Sequence, residues 1–377
     1  MKSILNEIRK LRRNDYLKID YYNDNRYRII VDNINGTKSA YCFSTPIYNY
    51  LSKKAVTMRF SKQGNKVHLT GSNASINLNQ KIYMTNASGS CSLMFRSVPK
   101  MIDEHTLICG RDIIFPSTNG FVYTAKNERE SPAVLELEAD IPKFKIQCND
   151  EYFALMSSKY TPFVTISCIG VVDEIGRVIA PATISYTKSD KSNYKFIFSP
   201  FCESGKYIML DINLYEPKIF QDTTAESKHP SKKNTFGEIA FIGNTDTYGE
   251  KWLYIRPEIM KVRDLLGINT LKVILYFPIL SETRIPISAY ATTKRFCSFA
   301  LSWSDKIKLG QSIGRLEYSK NYAKLDITEL VVDHKEKNIS IIGGIVLKAD
   351  SDKDGVCAIA TGDCYCAPPI IEIIYKD

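Results

Sequence analysis

The residues best spaced for chemistry in this chain are Asp350, Asp352 and Asp354, followed at once by Gly355. Three carboxylates on alternate residues converge on one hard cation when a glycine permits the sharp turn, so the segment has the ligand spacing of a calcium loop. Two features pull against that reading: position twelve is Thr361 rather than Glu, and no helix pattern follows. The same six residues also read as a solvated polar turn between two strands. Calcium here is the one cofactor the sequence brings into question.

Other chemistry is thin. There is no Gly-x-Ser-x-Gly elbow, no His-Glu-x-x-His, no phosphate loop and no dinucleotide fingerprint. The four histidines (His68, His105, His229, His334) stand apart from one another. Scattered Asp and Glu leave a converging glycosidase pair open, but no catalytic residue can be named and a non-enzymatic protein is expected. The ten cysteines are dispersed and most lie in apolar runs such as Thr106–Cys109, where a free thiol behaves as a small hydrophobe. Cys364-x-Cys366 lacks a second pair or a nearby His at zinc spacing. Such cysteines suit synthesis in a reducing cytoplasm. Trp252 and Trp303, the only tryptophans, each sit in an apolar alternating run, which favours core filling over a ligand platform.

At 377 residues the chain has room for two or three domains. Its net charge of +9 is spread out, with no basic run or basic–aromatic motif of the kind that binds nucleic acid. The 23 tyrosines suit strands with one wet face, and also sugar stacking. Residues 1–13 are no secretory signal, lacking both an apolar core and a cleavage site. No segment approaches the ~18 apolar residues of a membrane span. The expectation is a protein made without an export address.

Residues 3–13 can form an amphipathic helix with Ile4, Leu5, Ile8 and Leu11 on one face. That helix reads as packing on its own domain, as docking into a partner subunit, or as lying at a membrane interface. From Tyr27 to Tyr123 the pattern is β, broken by Asn-Gly and Gly-Ser-Asn turns. Asn35-Gly36 between strand-like runs predicts a hairpin. The polar stretch Ala125–Pro132 has a linker's composition. Beyond it, strands such as Gly205–Tyr215 alternate strictly, with Ile208, Leu210, Ile212 and Leu214 on one side. Five or so strands in this stretch fit a small immunoglobulin-like sandwich. The expected division is therefore 1–130, a helix plus a β domain for anchoring; 131–217, a spacer sandwich; and 218–377, a third β domain. The fold class is all-β, in serial sandwiches ending in a jelly roll.

In that last third, several pieces recur in a fixed order. Asp222-Thr223 precedes Pro230, Asn234 and Gly237. Ile239–Gly243 is followed by Lys251-Trp-Leu-Tyr-Ile-Arg256, then Leu271–Phe277, Leu301-Ser-Trp303, Asp326-Ile-Thr328, Gly344–Ala349 and the Pro368–Tyr375 finish. This order resembles the DNRLRE domain family, a jelly roll of the carbohydrate-binding-module type. It departs from the family where a Trp often follows the Asp-x-Thr turn, since the segment here, Val332–Asn338, is charged. The resemblance implies a surface-glycan-binding module. Asp326 and Thr328 read independently as fixing a turn through side-chain hydrogen bonds to the backbone.

A glycan module without an export signal suggests release by lysis, as from a phage virion or a phage-tail-like particle. The expectation is a structural and adhesion component (fibre, baseplate, neck or capsid decoration), made in the bacterial cytoplasm. Its expected partners are other particle subunits and a host cell-surface glycan, in a homo-oligomer, with no nucleic acid and no membrane span. The alternatives are an accessory carbohydrate-binding protein of a polysaccharide-degrading system and a bacterial cell-surface adhesin, either of which would be extracellular.

Overall fold

The computed structural model describes residues 16–20, 28–33, 35–44, 59–69, 74–79, 81–86, 89–94, 97–117, 120–126, 134–140, 145–148, 152–158, 161–173, 178–180, 182–188, 193–200, 207–214, 219–234, 239–267, 269–333, 338–339, 343–350, 355–362, 364 and 368–376. The protein is all-β. Its strands pair antiparallel throughout these residues, in sheets that pack as sandwiches. The helical pieces described are a 3-10 turn, Ile259–Leu265, and a single α-turn, Thr328–Val331. No helix among the described residues is long and apolar enough to cross a membrane. The expected N-terminal helix, with Ile4, Leu5, Ile8 and Leu11, lies outside the described residues.

The domain division differs from the serial one. The chain forms two compact units: residues 57–216 make one, and residues 1–56 together with 217–377 make the other. The strand Lys38–Phe43 lies beside the last strand, Ile370–Tyr375, from Lys38 opposite Tyr375 to Phe43 opposite Ile370. An early hairpin thus completes the sheet of the C-terminal unit, and the other unit is an insertion within it.

The inserted unit is one sandwich, not the two domains expected on either side of residue 130. Gly120–Lys126 pairs with Tyr207–Leu214, and Val134–Asp140 pairs with Gly89–Met94. Both sheets therefore mix strands from before and after that point. Period-2 patterning explains the packing: Tyr207–Leu214 buries every second residue, and Ile208, Leu210, Ile212 and Leu214 join a core with Phe60, Leu93, Phe121 and Phe163.

The C-terminal unit is a second sandwich. One sheet runs, in spatial order, Tyr16–Asp20, Arg28–Asn33, Lys38–Phe43, Ile370–Tyr375, Thr270–Pro278, Tyr322–Asp326, Glu317–Tyr318. The facing sheet runs Leu309–Arg315, Ile287–Thr292, Ile345–Ala349, Gly249–Pro257, Ile239–Thr245, Gly355–Ala360, with Phe220–Glu226 also paired to Gly249–Pro257. Their inner faces meet in a core that includes Val273, Leu275, Phe277, Leu253, Ile255, Leu347 and Ile371. Burying each such side chain is worth about 1.5–3 kcal/mol.

Two local expectations are met. Asn35-Gly36 closes the Arg28–Asn33/Lys38–Phe43 hairpin, with Gly36 at φ +77°, a conformation that favours glycine. Asp326 accepts the backbone N–H of Thr328 at 2.9 Å, and the Thr328 hydroxyl accepts the N–H of Val273 at 2.9 Å, which fixes the turn.

Candidate functional site

The strand Gly249–Pro257 is buried on both faces, but by different things. Leu253 and Ile255 point into the main core. On the other side, Trp252 and Tyr254 join Ala225, Phe296, Leu301, Ile307 and Val346 in a separate apolar cluster, with Trp303 and Leu309 packed against it. The irregular segment 293–308 supplies much of this cover.

Arg256 holds that segment down. Fully buried, it donates from one guanidinium nitrogen to the Phe296 carbonyl, and from Nε to Glu258 Oε1 at 2.8 Å. Glu258 also accepts from Arg295 at 3.2 Å. A buried cation is tolerable only when neutralised and hydrogen-bonded, and Arg256 is both. Gly344 completes the seat. A Cβ there would come within 2.5 Å of the Phe296 ring and 3.0 Å of the Ile255 carbonyl, so only glycine lets the ring in.

The other end of this face carries the candidate site. Trp252 and Trp303 meet edge to face, with ring centroids 5.0 Å apart. Lys306 Nζ lies 3.8 Å from the Trp303 centroid and 5.0 Å from that of Trp252. Lys348 Nζ lies 5.1 Å from the Trp252 centroid and 2.9 Å from Glu250 Oε1. The indoles thereby restrict two long, flexible cationic side chains. Trp303 and Lys306 share one turn, closed by the Lys306 N–H donating to the Trp303 carbonyl and by Ser302 Oγ donating to Asp305. The Ser304 N–H donates to the Pro230 carbonyl at 2.8 Å, tying this turn to the neighbouring loop.

Electrostatics shape the pair of acids on this face. Burial alone would raise the Glu250 carboxyl. The Lys348 ammonium, the facing Trp252 N–H and the Lys306 charge outweigh it and hold the group below its ordinary value. Burial, reinforced by the Glu250 charge, pushes the Tyr254 phenol up, so it stays neutral. Of the buried polar atoms here, Tyr254 Oη lacks a hydrogen-bond partner of ordinary geometry. Native structures leave few such atoms unmatched, and each asks for a reason.

A second cluster lies next door. Glu226 is fully buried opposite Lys251, with Lys251 Nζ at 3.1 Å, His229 Nδ1 at 3.0 Å and Lys232 Nζ at 3.7 Å. Neither carboxylate oxygen makes a hydrogen bond of ordinary geometry, so charge is what holds it. The cluster binds the turn after Phe220–Glu226 to the sheet, a structural task.

Of the residues singled out in the sequence, Trp252 is buried as expected, whereas Trp303 is half-buried at the surface of the outer cluster. Asp350 is ion-paired with Arg315 at 2.9 Å, and Asp352 and Asp354 lie outside the described residues. Among the described residues, no three His, Cys, Asp or Glu side chains are grouped to hold a metal ion. His105 lies 3.4 Å from Glu104. Desolvation raises the buried thiols, with Cys42 pushed up to about 12, which leaves it unreactive. Glu250, Tyr254, Lys306 and Lys348 were missed. The alternation Glu250-x-Trp252-x-Tyr254-x-Arg256, which puts side chains with polar handles on one side of the strand, was the available signal for the first two. No protein-family model matches this chain, and no curated protein does either.

Proposed function

We infer that this chain is a non-catalytic structural and adhesion component of a phage virion or phage-tail-like particle, whose C-terminal unit holds a host cell-surface glycan. The observation that carries the binding half of this reading is the outer face of the Gly249–Pro257 strand. There two indoles, two ammonium groups and a carboxylate come together, with Glu250, Trp252 and Lys348 on the sheet and Trp303 and Lys306 on the segment 293–308 that covers it. Sugars present apolar faces and hydroxyls together, and aromatic rings beside fixed donors and acceptors match both. The particle half rests on the resemblance of residues 220–377 to a glycan-binding jelly roll.

The test is retention of the purified full chain on an array of bacterial surface glycans, with co-sedimentation of the chain with particles from lysed cells. Selective retention together with particle association is the expected result. Retention on no glycan would sink the binding half, and absence from every particle fraction would sink the other. Hydrolysis of a retained glycan by the purified chain would replace the reading with that of a polysaccharide-degrading system. Because residues 28–43 complete the C-terminal unit, cutting the chain near residue 217 would unfold that unit rather than isolate it. The full chain is therefore the right reagent.

A further inference from the structure

A strand at the edge of a sheet presents a row of unpaired N–H and C=O groups, and folded proteins guard such edges with brevity, charge, proline or a bulge. Among the described residues, one sheet of the inserted unit ends at Lys145–Cys148 and Lys100–Asp103, the other at Phe60–Gln63 and Ala182–Lys188. The first three are four residues long, and each carries a lysine. Ala182–Lys188 differs. It is seven residues long, uncharged until Lys188 and free of proline. It pairs without a bulge to Asn193–Pro200, from Ala182 opposite Pro200 to Lys188 opposite Tyr194. Ser185, Tyr186, Thr187 and Lys188 are exposed. The Ser185 hydroxyl donates to the Ile197 carbonyl at 3.3 Å, so that carbonyl points at this strand, and Ser185 and Ile197 form a hydrogen-bonded pair. The backbone groups of Ile184 and Tyr186 therefore point the other way, off the sheet.

We propose that Ala182–Lys188 pairs antiparallel with the same strand of a second copy of this chain, about a two-fold axis through Ser185. The strand is self-complementary in that register. Ser185 meets Ser185 of the second copy, Ile184 lies opposite Tyr186, Thr183 opposite Thr187, and Ala182 opposite Lys188. Aromatic with β-branched and Thr with Thr are pairings that antiparallel sheets favour, and no like charges meet. The outward backbone groups of Ile184 and Tyr186 bond across the axis, so the open edge disappears. Tyr186 already packs edge to face on Phe153 of the unit's core, with ring centroids 5.7 Å apart. A strand added beside it thus extends an existing apolar layer. Because the contact is isologous, it closes on itself as a dimer and does not grow into a filament. The inference is independent of the glycan-binding reading, and neither fails with the other.

The experiment is sedimentation equilibrium of the full chain across the micromolar range, with Ser185→Lys beside it. In the dimer that variant sets two ammonium groups opposite each other on the axis, whereas in one copy alone the side chain is exposed to water, so the fold is kept. Thermal unfolding verifies this. The expected result is a dimer for the natural sequence and at least about tenfold weaker association for Ser185→Lys. Cysteine linking gives a second reading. On the new edge Ser185 is a non-hydrogen-bonded pair, whose Cα atoms lie about 4.5 Å apart, within the roughly 4.4–6.8 Å that a disulfide spans. Mild oxidation of Ser185→Cys should therefore join two copies at that position. Thr187→Cys lies opposite Thr183 and should not join to itself. Peptide mapping by mass assigns the link, since the chain has ten cysteines of its own. A monomer at every concentration overturns the proposal. So does unchanged association of Ser185→Lys, or equal linking of the two cysteine variants.

Discussion

The two faces of the strand Gly249–Pro257 solve different problems. Leu253 and Ile255 face the main core, where they join a large cluster of buried hydrophobic side chains and burial stabilises the contact. On the outer side Trp252, Tyr254 and Arg256 are buried nearly as well, yet each carries a polar atom. At one end the polarity is resolved, since Arg256 has Glu258 and the Phe296 carbonyl. At the other end Glu250 has Lys348 and the facing Trp252 N–H, and the Tyr254 hydroxyl is left without a hydrogen-bond partner of ordinary geometry. A core selected for stability alone would place apolar residues there, because unmatched buried polar groups cost about 1–3 kcal/mol each. The contrast points to a use for the outer face beyond holding the fold.

The contrast can be broken by truncating one residue from each face. Leu253→Ala should destabilise the protein by ~2–5 kcal/mol, through lost burial plus the cavity left in a tightly packed core. Trp303→Ala removes a larger side chain from the outer cluster, but a half-exposed one, and should lose less than ~2 kcal/mol. Urea unfolding of the two variants gives both values. If Trp303→Ala loses as much as Leu253→Ala, the outer cluster is an ordinary second core and the distinction drawn here fails.

How much of this was legible beforehand depends on how far apart in the chain the cause lay. The Asn35-Gly36 hairpin, the alternation of Ile208 to Leu214 and the Asp326–Thr328 turn are local, and sequence patterning predicts each. The domain division is not local. Lys38–Phe43 and Ile370–Tyr375 are joined across more than three hundred residues, and nothing in either segment names the other as partner. The polar run before Pro132 has a linker's composition, but the strands on its two sides share both sheets of one sandwich. The site followed the same rule. Trp252 and Trp303 stand out as the only tryptophans, whereas Lys348 reaches Trp252 only through the register that sets Leu347 opposite Leu253.

A smaller effect separates the faces by pH. On the outer face Glu250 is held below its ordinary value near 4.5. A carboxyl whose folded value is depressed stabilises the fold fully above its unfolded value, and that stabilisation is lost as pH falls through the folded value. Stability should therefore decline on acidification below about pH 4.5, and Glu250→Gln should flatten this part of the profile. The change is modest because water reaches Glu250 and screens its pair with Lys348. Chemical unfolding of both proteins across pH 3–6 measures it. Parallel profiles would mean that Lys348 and Lys306 do not hold the carboxylate as described.

The smallest expected change is the most diagnostic. In the unliganded protein the Tyr254 hydroxyl is buried without a partner, so Tyr254→Phe removes an unmet polar group and keeps the ring against Trp252 and Phe296. Stability should stay level or rise by up to ~1 kcal/mol, readable as an upward shift in Tm. A hydroxyl whose removal improves the fold but weakens sugar binding is there for the ligand. If Tyr254→Phe instead lowers Tm, the hydroxyl is already matched within the folded protein, by a bound water or by a neighbour, and the outer face is as self-sufficient as the inner one. The sign of this one shift therefore decides whether the two faces differ in purpose or only in composition.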